Sequence, residues 1–259
     1  MLYLHTTRYD PGHSKTLPLW LATLLLLAGC GGIDTPTSTH EAPVGLWSGK
    51  ILEAGAPDSE MFGMVSPGGR TIFLPGLSPF PANLPYFNSG LNADKTSGDI
   101  DDDLSLIGNG FPALVYEFQG NYQARKSLTA TLTRQLETPR TIELVWDPRT
   151  DNSASLARAA GTWTDDRSGT VRVITITPSG QLSGNDSIGC IYDGKVFEPA
   201  PNVNVYTLQM DVSGCFNFTL RFNGLATLLD TSVAADTLLM ASVGFSPVGF
   251  TKIGVLQRQ

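Results

Sequence analysis

The strongest constraint on this chain of 259 residues is the spacing of its apolar residues. Beyond the N-terminal segment they nowhere sustain the i, i+3, i+4, i+7 pattern of a buried helix face over 12 residues. Short runs rich in Val, Ile, Thr, Phe and Tyr recur instead, bounded by Gly, Pro, Asn and Asp, which is the pattern of strands and turns. Residues 171–177 alternate and then meet Pro178-Ser179-Gly180, a hairpin signal, before 181–184. Similar runs cover 188–197, 203–212, 216–229, 237–245 and 250–257. In the first half they cover 46–52, 61–65, 70–74, 114–122, 127–134 and 141–146. Residues 154–159 are the one helix candidate, and Leu156 gives them little to bury. The chain is therefore expected to be all-β, either an antiparallel up-and-down barrel or a two-sheet sandwich. Residues 44–150 and 157–259 read as two similar β-meander halves.

The two halves open alike, with Gly45-Leu46-Trp47 in one and Gly161-Thr162-Trp163 in the other. Each is followed by a tight-turn signal, Pro67-Gly68-Gly69 or Pro178-Ser179-Gly180. Gly-x-Trp on the first strand of a meander resembles the lipocalin and avidin group of up-and-down barrels. That resemblance implies a glycine bending the chain across the barrel floor and a tryptophan plugging one end. In the second half it also implies that Arg258 covers the Trp163 indole through a cation–π contact. From Gly161 onward seven or eight strands are expected, the number such a barrel needs.

The N-terminus carries an address. Arg8 and Lys15 lie in a polar stretch before an apolar run of 11 residues, 17–27, broken only by Thr23. A membrane-spanning helix needs roughly 20 apolar residues, so the run fits a signal peptide. Leu27-Ala28-Gly29-Cys30 then resembles the lipobox of bacterial lipoproteins. The resemblance implies that residues 1–29 are removed and that Cys30 is lipidated. Residues 30–43 then form a polar tether, and the chain is held at a membrane by acyl chains. Gly31, rather than Asp, follows the cysteine, which points to the outer membrane.

With Cys30 consumed, Cys190 and Cys215 form an even pair in an oxidising compartment. A hairpin turning at Pro199-Ala200-Pro201-Asn202 would place them opposite each other if paired positions sum to 405. The stretch Gly189-Cys190-Ile191-Tyr192-Asp193-Gly194, with Asn204-Val205-Tyr206 and Gly214-Cys215, resembles a group of proteobacterial lipoproteins. That likeness implies an all-β fold and a disulfide, and no activity.

The formal net charge is −7, and loss of Arg8, Lys15 and Asp10 with the leader takes it to −8. Such a surface lacks the cationic footprint that nucleic acid requires. The three histidines, His5, His13 and His40, all precede the β region. A Ser-His-Asp apparatus and histidine-ligated zinc therefore have no histidine within it. No Gly-rich phosphate loop follows a strand. Carboxylate chemistry is the catalytic option left, through Glu117, Glu143, Asp147, Asp165 or Asp166. Their positions beside turns favour solvation, so the chain is expected not to be an enzyme.

Two segments are candidates for contact. Asp99, Asp101 and Asp103 alternate on an expected turn and could gather oxygen ligands round calcium, the one cofactor suggested here. The apolar, proline-rich loop 74–88 brings Phe80, Leu84, Tyr86 and Phe87 as contact area for a protein partner in the envelope. The sequence thus describes a binding or structural module, with a small-ligand carrier using a barrel cavity as the alternative.

Overall fold

The computed structural model describes residues 41–76, 85–91, 98–166, 169–215, 218–229, 237–245 and 248–259. The lipobox, Cys30, residues 77–84 of the proline-rich loop and residues 92–97 lie outside the described residues.

Two closed barrels of eight antiparallel strands make up the fold. The first contains β1 (Gly45–Glu53), β2 (Ser59–Val65), β3 (Arg70–Pro75) and β4 (Tyr86–Gly90). It is completed by β5 (Asp99–Ile107), β6 (Leu114–Gln123), β7 (Ser127–Thr133) and β8 (Arg140–Trp146). The second contains β9 (Gly161–Asp165), β10 (Arg172–Ile176), β11 (Gln181–Asp186) and β12 (Ile191–Phe197). Its remaining strands are β13 (Tyr206–Ser213), β14 (Leu220–Leu228), β15 (Thr237–Phe245) and β16 (Gly249–Arg258). Each strand pairs with its sequence neighbours, and β1–β8 and β9–β16 close the rings. Closure leaves no open sheet edge, and it selects the barrel over the sandwich.

Strands β4 and β5 correct the sequence reading, which gave them to a loop and a turn. Tyr86 and Phe87 belong to β4 and are buried, at 0% and 2% exposure. Pro85 sits just before the strand, where a missing N–H breaks no ladder. In β5 the aspartates at 99, 101 and 103 are exposed while Ile100 and Leu104 are buried, an ordinary period-two alternation.

The barrel floors are built alike. Gly45 and Gly161 hold φ of +136° and +142°, outside the range most side chains accept. A Cβ on Gly45 would stand 2.5 Å from the Trp146 ring, and one on Gly161 2.6 Å from Arg258. Trp47 and Trp163 are fully buried, and each indole donates to a carbonyl four residues back, Pro43 or Ala159, at 2.9 Å. The Arg258 guanidinium lies 4.3 Å from the Trp163 ring, and its Nη1 donates to Ala160 O at 2.6 Å. In the first barrel Trp146 takes the neighbouring place, edge-on to Trp47 at 5.4 Å, with Arg125 stacked 4.9 Å from it.

A third apolar cluster joins the barrels. Met64, Ile72 and Leu74 of the first pack with Leu225, Leu239, Ala241 and Ile253 of the second. Strands β14 to β16 are therefore buried on both faces: Leu238 and Met240 point into the barrel, Leu239 and Ala241 out to its neighbour. Hydrogen bonds frame this contact. At the floor end Asn204, 0% exposed, donates its backbone N–H to Thr150 O at 2.9 Å. Its Nδ2 donates to Arg149 O and Leu228 O at 3.1 and 2.7 Å. At the far end Asn109 Oδ1 accepts from Thr251 N at 2.6 Å, and Gly249 N donates to Phe111 O at 3.1 Å. The two barrels consequently open side by side, on the side away from both tryptophans.

Cys190 and Cys215 are joined, with Cα atoms 4.5 Å apart. The register differs from the expected one. Ile191 pairs with Ser213 and Phe197 with Thr207, so partner numbers sum to 404 and Cys190 stands level with Gly214. A slip of one residue moves every side chain to the other face. The observed choice turns Tyr192, Val196, Leu208 and Met210 inward. The bridge forms beyond the last pair, where the chain bends and Gly214 adopts φ +80°.

Candidate functional site at the mouth of the first barrel

Aromatic side chains fill the first barrel. Phe73 and Phe118 pack at 5.9 Å between centroids, and Phe87 meets Tyr116 edge-on at 5.7 Å. Above them, at the end away from Trp47, the filling stops. An open cavity of about 230 Å³ remains, walled by Ile51, Pro57, Pro75, Pro85, Phe87 and Leu106. Pro57 and Pro85 belong to the β1–β2 and β3–β4 connections and Pro75 ends β3, places where fixed φ and a missing donor suit chain leaving a sheet. Pro75 and Pro85 are the two feet of the proline-rich loop, so its described ends stand on the rim.

The lip of this cavity is charged. Glu53 and Arg140 are partners in the β1–β8 register, and Arg140 Nε donates to Glu53 Oε2 at 3.0 Å. Arg140 and Arg134 lie 5.7 and 5.9 Å from the Tyr116 ring. The Tyr116 hydroxyl donates to Glu137 Oε2 at 2.7 Å, and Arg134 also pairs with Glu137. Burial, reinforced by the Glu137 hydrogen bond, raises the Tyr116 pKa. The same bond, followed by the Arg134 bond, lowers that of Glu137. Every charged group here is therefore matched. The arrangement offers an apolar pocket with a polar margin, suited to hold an apolar group while fixing the polar atoms beside it.

The residues singled out by sequence are distributed otherwise. Asp99, Asp101 and Asp103 stand along one exposed strand face, not on a turn. Carboxylates two residues apart on a strand are separated by roughly 6.6 Å, whereas calcium draws its oxygens to about 2.4 Å. Asp101 Oδ1 accepts from Gln119 Nε2 at 3.1 Å. Among the described residues no group of three His, Cys, Asp or Glu side chains is placed to hold a metal ion. Glu117 and Glu143 face outward on β6 and β8. Asp147 pairs with Arg149, and Asp165 lies 3.8 Å from Arg172 in the other barrel. The Asn204-Val205-Tyr206 motif serves assembly: Asn204 ties the barrels, and the Tyr206 hydroxyl donates to Ser155 O at 3.1 Å.

Sequence reading missed Ile51, Glu53, Leu106 and Arg140. Glu53 and Arg140 are 87 positions apart, and nothing short of the barrel's closing register brings them together. Pro57, within Ala54-Gly55-Ala56-Pro57, was legible as a turn but not as a cavity wall. No protein-family model matches the chain, and no curated protein matches it in sequence.

Proposed function

We propose that this chain is a lipid-anchored binding module of the bacterial envelope, engaging a protein partner through the mouth of the first barrel. The observation that carries the reading is the apolar cavity of about 230 Å³ framed by the feet of the proline-rich loop. A cavity of that size is smaller than those that enclose drug-sized ligands, roughly 300–1,000 Å³. It suits one or two apolar side chains of a partner, with Glu53 and Arg140 meeting polar groups around them. The described chain enters the first barrel at the Trp47 end, opposite the mouth. Acyl chains supply the attachment, since the acidic surface has no attraction for anionic headgroups.

A photo-crosslinking residue at Ala56, on the rim, tests this in living cells against the same residue at Thr175, on the outer wall of the second barrel. A discrete adduct from position 56 alone is the expected result, lost when residues 78–83 are replaced by Gly and Ser. Adducts from both positions, or from neither, overturn the reading. In the same cells Cys30→Ser is expected to move the protein out of the membrane fraction. The small-molecule carrier alternative requires a ligand that co-purifies and appears in native mass spectrometry.

A further inference from the structure

The interior of the second barrel changes character along its axis. Trp163, Ile174, Leu182, Leu208, Phe222 and Leu256 fill its lower and middle parts. Towards the mouth polar residues join the inward set, Asp165, Arg172, Asp186, Tyr192, Ser242 and Lys252, while β13 and β14 keep Val212 and Leu220 there. Two cations thus lie inside one barrel. Arg172 is 5.5 Å from the Tyr192 ring and Lys252 is 5.9 Å from it.

The acids of this layer are committed elsewhere. Asp186 Oδ1 accepts from Ile188 N and Cys190 N at 3.2 and 2.9 Å, and its Oδ2 accepts from the Tyr192 hydroxyl at 2.6 Å. Asp165 lies on the Nη1 side of Arg172, 3.8 Å away, and the same Nη1 donates to Ile253 O at 3.4 Å. Among the described residues Arg172 Nε is buried and has no hydrogen-bond partner. Lys252 makes no hydrogen bond to any described residue. Both cations, with Ser242 and Tyr192, line a small cavity whose other walls are Ile174, Met210, Met240, Gly254 and Leu256. Gly254 keeps it open: a Cβ there would stand 3.1 Å from Arg172 Nη1. Its volume, about 10 Å³, is room for one water-sized particle.

Both cations line one cavity whose wall offers as side-chain acceptors only the neutral Ser242 and Tyr192 hydroxyls, and Arg172 Nε is left without a partner among the described residues, so the pair calls for an anion from outside the chain. We propose that the mouth of the second barrel holds one monatomic anion, of the size of chloride, between Arg172 Nε and the Lys252 ammonium. A polyatomic anion does not fit the space. The flexible Met210 and Met240 side chains allow the small expansion a halide needs. The Lys252 pKa is lowered by burial and then by Arg172, with Asp186 acting in the opposite sense. An anion in the cavity opposes that lowering and keeps Lys252 charged.

Detergent-extracted full chain is melted in sodium bromide, sodium chloride and sodium gluconate at equal ionic strength. Gluconate is too large to enter. The expected result is a saturable rise in melting temperature with either halide, about 3–6 °C at ten times Kd, and none with gluconate. In Lys252→Met, which keeps the length of the side chain and removes its charge, the halide response is expected to vanish. Crystals grown in bromide should show an anomalous peak between Arg172 and Lys252, a readout that does not depend on any variant folding. A water without anomalous signal at that position overturns the proposal whatever the melting temperatures do. So does equal melting of the wild-type chain in all three salts, or a halide response that persists in Lys252→Met.

Discussion

Asp147 carries more structure than its place between two elements suggests. Its backbone N–H donates to Leu46 O at 3.0 Å, and its carboxylate accepts from Arg149 N at 3.0 Å and Arg149 Nε at 2.9 Å. Thr150 completes the clasp, donating to Asp147 O and accepting from Leu46 N, both at 2.8 Å. Burial opposes the charge of Asp147, but the Arg149 hydrogen bonds outweigh it and its pKa is lowered. A carboxylate held below its unfolded value stabilises above that value and loses the contribution as pH falls through the folded one. Asp147→Asn is therefore expected to cost about 1–2 kcal/mol at pH 7. Urea unfolding of the two proteins should converge as the pH falls below about 4. A gap unchanged between pH 7 and pH 3 would show that charge has no part in it. Asn204 is the neutral counterpart, buried among carbonyls and amides that use both ends of its side chain.

At the scale of elements, the β12–β13 hairpin shows how register and covalent closure cooperate. Its inward set, Tyr192 and Val196 opposite Leu208 and Met210, decides the pairing, and the Cys190–Cys215 bond locks it. The bond closes a loop of 25 residues, and the chain-entropy model gives such a loop about 3 kcal/mol. Replacing both cysteines by serine is expected to lower the unfolding free energy by that amount while leaving the circular dichroism spectrum unchanged. A loss below about 1 kcal/mol would mean that the unfolded chain is already restricted here. Strands β4 and β5 teach a different lesson. Prolines and aspartates that discourage a strand on average are tolerated at its edge and on its wet face, because packing of Phe87, Ile100 and Leu104 decides the element.

For the whole molecule the decisive feature is the apolar contact between barrels. Leu225, Leu239, Ala241, Val243 and Ile253 of the second barrel are at most 4% exposed and face the first. A surface of this kind couples the barrels' unfolding, so calorimetry should record one cooperative transition. Ala241→Glu places an unpaired carboxylate in that contact while leaving both barrel interiors intact. Two transitions are then expected, the earlier at least several degrees below that of the parent protein. A single transition in the variant would locate the cooperativity elsewhere, for instance in the Asn204 and Asn109 hydrogen bonds.

The all-β class, the repeated Gly-x-Trp floor with Arg258 over the second indole, and the pairing of Cys190 with Cys215 were legible before any fold was known. Each rests on local information: alternation along one strand, a glycine and tryptophan two positions apart, or the only two thiols in the β region. That both halves close into barrels, and that these pack through β14 to β16, emerges only from the assembled fold. The uninterrupted apolar run Leu238-Leu239-Met240-Ala241 carried that signal, since a strand buried on both faces has no polar side to alternate with. Which surface covers the outer face is not written in the run. The cavity rim and the cation pair were out of reach for the same reason. Glu53 meets Arg140, and Arg172 meets Lys252, only because closed rings bring together residues far apart in the chain, and closure is a property of all eight strands at once.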